Sequence, residues 1–292
     1  MKRFLVSAMA VLAAHSVQAE VVAQGVLSIV AAENFYGEVA QRIGGPQVAV
    51  TSILSNPNQD PHLFEVTPST ARAVSTANIV VVNGAAYDPW MNTLLKASQN
   101  PKRAVLDVAS VTGHKIGDNP HLWYEPGTMP TVARVLTAEL TLRDPPNAEA
   151  YRQRHNEFVS SLAPLTEKMA SLKARFAGAP VTATEPVFGY MAGALGLDMR
   201  NGGFQLAIMN ATEPSPRQVA AFEKDLRQRT VKVLIYNSQV SDDTTSRLKR
   251  IAEECGVPVV GVTETMPAGT NYVQWMIDQL DALQAALSKS AR

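Results

Sequence analysis

The stretch NAEAYRQRHNEFVSSLAPLTEKMASLKARF, residues 147–176, decides the fold. Tyr151, His155, Phe158, Leu162, Leu165, Met169, Leu172 and Phe176 recur at intervals of four and three, the apolar face of one amphipathic helix. At 1.5 Å per residue the stretch spans about 45 Å, more than one small lobe needs. The spacing therefore predicts a connector lying along two lobes, kinked at Pro164 without ending there. His155 on this stripe reads as a packed or capping residue, not a ligand.

On both sides of the connector, strand and helix signals alternate. Before it, Leu27–Ala32 reads as a buried strand, 33–43 as a helix stopped by Gly44-Gly45, and 47–53 as an alternating strand. Thr67-Pro68-Ser69 opens a helix with a cap and a first-turn proline. Ile79–Val82 is a continuous apolar run, the mark of a strand buried on both faces. A short helix over 89–96 and a strand over 104–108 follow. After the connector come strands over 180–184, 204–209, 231–236 and 257–262. Helices over 188–195, 213–226, 242–255 and 271–287 lie between and after them. The pattern is α/β: two lobes, each a mostly parallel sheet with flanking helices, joined by one long rigid helix. The expected divisions are 1–19, 20–146, 147–176 and 177–292. No sequence repeat is visible.

Composition narrows the function class. The chain has 292 residues, enough for two ordinary domains, and its 46% hydrophobic and 18% charged residues describe a soluble globular protein. Equal totals of 26 basic and 26 acidic residues give no global field for nucleic acid or an anionic membrane. Lys2 and Arg3 precede an apolar run over 4–14, and Val17-Gln18-Ala19 has the small residues of a signal-peptidase site. Export to a periplasm with cleavage after Ala19 is expected. The single cysteine, Cys255, lies far from that site, so neither a lipid anchor nor an intramolecular disulfide is expected. Cys255 itself reads as a buried structural thiol.

Four side chains stand after predicted strands or in loops of the kind that reach the strand-end edge. His62 lies in Asp60-Pro61-His62-Leu63-Phe64-Glu65 and His121 in Asn119-Pro120-His121-Leu122-Trp123, each delivered by a proline that restricts the loop. Glu185 follows the strand over 180–184, and Glu264 follows the last strand. In open α/β sheets ligands gather beyond the carboxyl ends of the strands, so facing lobes bring these four groups to the cleft between them. Two imidazoles and two carboxylates suit Zn²⁺, Mn²⁺ or Fe²⁺. The competing structural reading makes Glu185 a helix-start residue favoured by the macrodipole. Glu65 and Glu213 read as capping or supporting groups, and His114 as an exposed loop residue.

These motifs together resemble the metal-binding substrate-binding proteins of ATP-binding-cassette importers, the family of zinc and manganese uptake. Besides the two Pro-His units, the resemblance rests on Asn83-Gly84, Tyr87-Asp88-Pro89-Trp90-Met91, Glu185 with Phe188-Gly189-Tyr190, Glu213-Pro214-Ser215 and Thr263-Glu264-Thr265. It covers essentially all of the chain after the signal. It implies two α/β lobes bridged by one rigid helix, with a single divalent ion, the transported ligand, held between them. No catalytic cofactor, no nucleic acid, a monomeric state and a membrane permease as partner are further implications. By resemblance, His62 and His121 match the two first-lobe ligands. Glu185 stands where zinc-type members often carry histidine and some manganese-type members glutamate. Glu264 stands near the family's usual aspartate, so either it or water is the fourth ligand. No histidine-rich loop is present, which leans toward manganese or iron, whereas raw affinity favours zinc. The metal stays open. A metallohydrolase using the same site, with Glu185 or Glu264 as general base, is the alternative, though no His-Glu-x-x-His or Gly-x-Ser-x-Gly motif supports it. A metal-binding adhesin or a binder of chelated iron is a third reading.

Overall fold

The computed structural model describes residues 25–57, 61–240 and 243–289, with the His62 side chain excepted. The expected signal segment, Asp60 and Asp242 lie outside the described residues. The first lobe contains β1 (Leu27–Glu33), α1 (Asn34–Gly44), β2 (Val48–Leu54), α2 (Pro68–Thr76), β3 (Ile79–Val82), α3 (Pro89–Ala97), β4 (Ala104–Asp107), α4 (Val108–Thr112) and α5 (Thr128–Arg143). The connector is α6 (Ala148–Ser161) and α7 (Ala163–Phe176). The second lobe follows with β5 (Pro180–Ala183), α8 (Gly189–Ala194), β6 (Asp198–Arg200), α9 (Gly202–Met209) and α10 (Pro216–Arg227). It ends with β7 (Leu234–Asn237), α11 (Asp243–Glu254), β8 (Val259–Val262) and α12 (Tyr272–Lys289).

Each lobe is built on a four-stranded parallel sheet, and the two sheets repeat one order, β2-β1-β3-β4 and β6-β5-β7-β8. The order reverses between β1 and β3, and again between β5 and β7, which opens the crevice where such folds bind ligands. Register makes the repeat specific: Ala31 pairs with Val81 in the first sheet and Ala183 with Ile235 in the second. Two residues beyond those pairs stand Glu33 and Asn83 in one lobe, Glu185 and Asn237 in the other.

A single apolar core runs from the first sheet through the connector into the second lobe, including Phe35, Trp123, Phe158, Leu172, Val181 and Trp275. The lobes are pinned by polar contacts as well. Asn34 exchanges two hydrogen bonds with the Met266 backbone, and Tyr124 Oη donates to Gln279 Oε1 at 2.6 Å. The Tyr272 amide donates to Glu38, and Tyr272 Oη donates to the Trp123 carbonyl.

The helix signals are realised with local differences. Thr67 caps α2 through the Thr70 amide, and Ser215 forms a capping box with Gln218 at the start of α10. The connector is helical throughout except at Leu162, which closes α6 and opens α7 with φ −80° and ψ −9°. Pro164 sits in the first turn of α7, where its ring excludes the continuation of the preceding turn, so the expected kink becomes a break two residues earlier. The run over 204–209 is not a strand but helix α9, entered through Asn201 at φ 58° and two glycines. A mostly apolar run of six residues does not distinguish strand from buried helix, and the edge position beside β5 goes to the polar β6 instead. Among the described residues no helix is long and apolar enough to cross a membrane.

Candidate metal centre

His121 reaches the cleft from the loop that ends in the 3-10 turn Leu122–Tyr124. Its ring is buried, with Tyr87 and Trp123 edge-on at 6.0 and 5.4 Å between centroids. Nδ1 lies 2.6 Å from Asn119 Oδ1, and the Asn119 amide nitrogen donates to the Pro186 carbonyl of the second lobe at 2.7 Å. That second bond sets which end of the Asn119 amide faces the ring: the oxygen. The proton therefore sits on Nδ1, and Nε2 presents its lone pair. The loop is held from below by Asn83, whose Nδ2 donates to the Pro120 carbonyl at 2.9 Å.

The second lobe supplies the oxygens. Glu185 follows β5 at the start of a 3-10 turn over Pro186–Phe188, yet its side chain makes no cap hydrogen bond. Glu185 does stand at a helix start, as the macrodipole reading has it, but without a capping hydrogen bond. Glu264 follows β8 and is buried, its backbone amide and that of Thr265 both donating to Gln239 Oε1. Asn237, the last residue of β7, stands between the two carboxylates. Its Nδ2 donates to Glu264 Oε1 at 2.5 Å and lies 3.4 Å from Glu185 Oε2.

The two lobes meet where His121 Nε2 approaches Glu264 Oε2 at 3.5 Å. Nε2 has no hydrogen-bond partner. With the proton on Nδ1, this contact sets a nitrogen lone pair against a carboxylate oxygen inside a buried chamber. Such a pair repels unless a cation lies between them or a proton joins them. The donor chemistry is what a borderline divalent metal takes, imidazole nitrogen and carboxylate oxygen with a carboxamide behind the nitrogen. Among the described residues no three His, Cys, Asp or Glu side chains stand already gathered at metal-holding distances, and the Asn237 amide occupies the space between the carboxylates.

Of the four sequence-predicted residues, His121, Glu185 and Glu264 lie in this chamber. His62 lies on the 3-10 turn Pro61–Leu63 after β2, with its side chain outside the described part. That turn is anchored by Phe64, whose ring packs on Trp90 at 4.5 Å. The supporting roles expected of Glu65 and Glu213 are not found: both are exposed, and Thr67 and Ser215 make the caps. His114 is half-buried, with Nε2 2.9 Å from Glu125 and Nδ1 3.3 Å from Tyr190 Oη across the cleft. His155 is half-buried beside Asn156, away from the chamber. Cys255 is half-buried against the second-lobe satellite core, rather than fully buried.

Asn237 and Gln239 were not singled out from sequence, and Asn119 and Tyr87 stood there only as members of motifs, with no role of their own. The nearest signal was position: Asn237 ends an apolar strand, and Asn119 precedes Pro-His. The turn that delivers Tyr87 is strained, with Gly84, Ala85 and Ala86 all at positive φ. Alanine in this region is disfavoured by about 1 kcal/mol each, a local cost found where a scaffold holds a functional turn. At Gly84 a Cβ would run into the Asp107 carboxylate. Asp88, three residues beyond Ala85, closes the turn by accepting the Asn83 and Gly84 amides. Burial pushes its carboxyl up to about 6 despite those donors.

Comparison with known proteins bears on the family and the fold. The sequence profile of the family described as ZnuA, zinc-uptake complex component A periplasmic, matches residues 29–286. The manganese ABC transporter substrate-binding lipoprotein PsaA of Streptococcus mitis is 24% identical over 287 residues, covering 90% of each chain. The solved Mn-bound periplasmic metal binding protein from Candidatus Liberibacter asiaticus superposes with a TM-score of 0.70 at 18% identity, covering 89% of this chain and 99% of that one. The Zn(II)-bound AdcA of Streptococcus pneumoniae gives a TM-score of 0.69 at 16% identity, over 90% of this chain and 58% of that one.

Proposed function

The chain belongs to the family of periplasmic zinc-uptake complex component A proteins, and from this premise we propose that His121, Glu185 and Glu264, with His62 as fourth donor, hold its cargo. It is a metal substrate-binding protein of an ABC importer of the manganese and zinc type, and a binding protein rather than an enzyme. The observation that carries the site is the facing of His121 Nε2 and Glu264 Oε2 at 3.5 Å, with Asn119 holding the proton on the far side of the ring. One divalent ion settles between them, and the Asn237 amide gives way as the ion takes its place between the carboxylates. Two carboxylates and two imidazoles accept Mn²⁺ readily, while Zn²⁺ binds the same set more tightly by the stability order. Relatives of both kinds are named for their metals, PsaA for manganese and AdcA for bound zinc.

Delivery follows from the chain's place in an importer: the loaded protein docks on the cognate membrane permease and releases its ion there. The pinned lobes and continuous core favour release by local rearrangement of the loops over 113–121 and 264–270, with limited lobe motion. The protein acts outside the cytoplasm. We propose that it does so without a lipid anchor, its single cysteine being packed in the second lobe. Recovery with the soluble periplasmic fraction rather than with membranes checks this.

Metal content and calorimetry test the site. Protein stripped of metal is expected to bind one Mn²⁺ or Zn²⁺ per chain, and His121→Ala to weaken binding by roughly a hundredfold or more, since it leaves the chamber's carboxylates short of a partner. Stoichiometric binding at native affinity in a variant lacking both His62 and His121 would overturn the assignment.

A further inference from the structure

The strand-for-strand relation between the sheets pairs Glu33 with Glu185 and Asn83 with Asn237. In the second lobe the asparagine amide serves the carboxylates. In the first lobe it does not. Asn83 Nδ2 is engaged by the Pro120 and Gly84 carbonyls, and Asn83 Oδ1 accepts from Tyr36 Oη at 2.8 Å. Glu33 is left at the end of β1 with 1% exposure and no hydrogen bond to either side-chain oxygen.

The surroundings decide its charge. Asp88 acts on Glu33 from the turn before α3, and Glu33 in turn acts on Tyr36 of α1 and on Tyr87. One layer out, Asp107 at the end of β4 acts on Asp88 and Tyr36, and Tyr272 of α12 acts on Tyr36. Among the described residues, the charges that act on Glu33 and Asp88 are those of carboxyl groups. A carboxyl buried with no donor but its own backbone amide, beside a second carboxyl, keeps its proton, because ionisation would place a poorly solvated charge next to a like one. Desolvation, then Asp88, accordingly push the Glu33 carboxyl well above the usual carboxylate range. Tyr87 links this group to the cargo chamber: it feels both Glu33 and Glu264, and its ring stands edge-on to His121.

Resting on the metal-binding reading above, we propose that Glu33 is the proton partner of the cargo, keeping its carboxyl proton in the metal-free protein and releasing it to solvent when a divalent ion enters. The O–H bond of Glu33 breaks, its electron pair stays on the carboxylate, and the proton passes to water. The chamber and the Glu33 site together thereby take up one net positive charge instead of two. Linkage makes the exchange reciprocal, so proton uptake by Glu33 loosens the ion. The first lobe thus keeps a charge in reserve at the position where the second lobe displays one.

The test is calorimetric titration of the full metal-free protein with Mn²⁺ near pH 7, in buffers of different ionisation enthalpy, for the native chain, Glu33→Gln and Glu33→Leu. The native protein is expected to release about one proton more per ion than either variant. Its logarithmic affinity should rise more steeply with pH, by about one unit per pH unit. Neither variant should melt earlier than native when metal-free, since no hydrogen bond is lost. Equal proton release in all three chains, with the native protein binding its ion, overturns this inference alone. Earlier melting with unchanged proton release makes Glu33 a structural residue only. A native protein that binds no ion overturns the metal reading, and this inference with it.

Discussion

The two lobes carry the same sheet and finish it differently. In each lobe a buried glutamate stands at or two residues beyond the end of the first central strand and an asparagine at or one residue beyond the end of the second, Glu33 with Asn83 and Glu185 with Asn237. In the first lobe the asparagine turns to the backbone: it holds Pro120 and accepts Tyr36, and so fixes the loop that carries His121. In the second it turns to Glu185 and Glu264. The first lobe therefore presents nitrogen on a braced loop, and the second presents oxygen directly from its strand ends. One scaffold yields a mixed donor set because the same amide is oriented two ways, and the orientation is set by what each lobe packs against it.

The largest effect expected to sharpen this comparison is one of pH. Asp88, which braces the first lobe only, has its carboxyl raised to about 6 from an ordinary 3.8. A raised carboxyl binds a proton in the folded state that the unfolded chain has already lost. Its contribution is thus fully present below about pH 4 and is lost as pH rises through about 6. Through Asp88 alone, metal-free protein should lose up to roughly 3 kcal/mol of stability over that window, and Asp88→Asn should make the profile shallower, leaving the fall that Glu33, raised as well, contributes. Urea unfolding at pH 4, 5, 6 and 7 measures both slopes; an unaltered slope in the variant would assign it to other groups.

Next in size is the bridge by which the second lobe orients the first lobe's ligand. Asn119→Ala removes the acceptor of His121 Nδ1 and the contact to Pro186 together. Affinity for Mn²⁺ or Zn²⁺ is expected to fall roughly 10–100-fold, the usual consequence of losing the group behind a ligating imidazole. Titration against a competing chelator reads it, and unchanged affinity would mean that the ring is held by packing against Tyr87 and Trp123 alone. The smallest effect concerns the joint between the lobes. Pro164→Ala is expected to destabilise by about 0.5–1 kcal/mol, mainly by freeing the unfolded chain, while metal affinity stays unchanged. A large affinity change would make the break at Leu162 a hinge on which the chamber depends.

Much of the architecture was legible because it follows from periodicity. The four-three spacing over 151–176 marked the connector, and Ile79–Val82 marked a doubly buried strand. Glu185 and Glu264 were legible as candidates because each follows a strand at the edge where parallel sheets bind ligands, and His121 because its Pro-His loop is of the kind that reaches that edge. Helix α9 was misread as a strand, since a short apolar run carries no period of its own, and α5 was passed over although it packs on α1 and α6 at the centre of the first lobe.

What the sequence determined by itself is therefore the alternation of elements, the two-lobe plan and the kinds of donor available, because propensity, capping and hydrophobic period act over a few neighbouring residues. Only the tertiary structure decided how those donors are used. Asn119 bonds across to Pro186, the Asn83 amide is diverted to the His121 loop, and Glu33 is left without a partner while Glu185 gains one. Each is settled by contacts between residues far apart in the chain. Hydrogen-bond geometry and desolvation depend on which groups the packed core brings together, and no local pattern in the sequence records that.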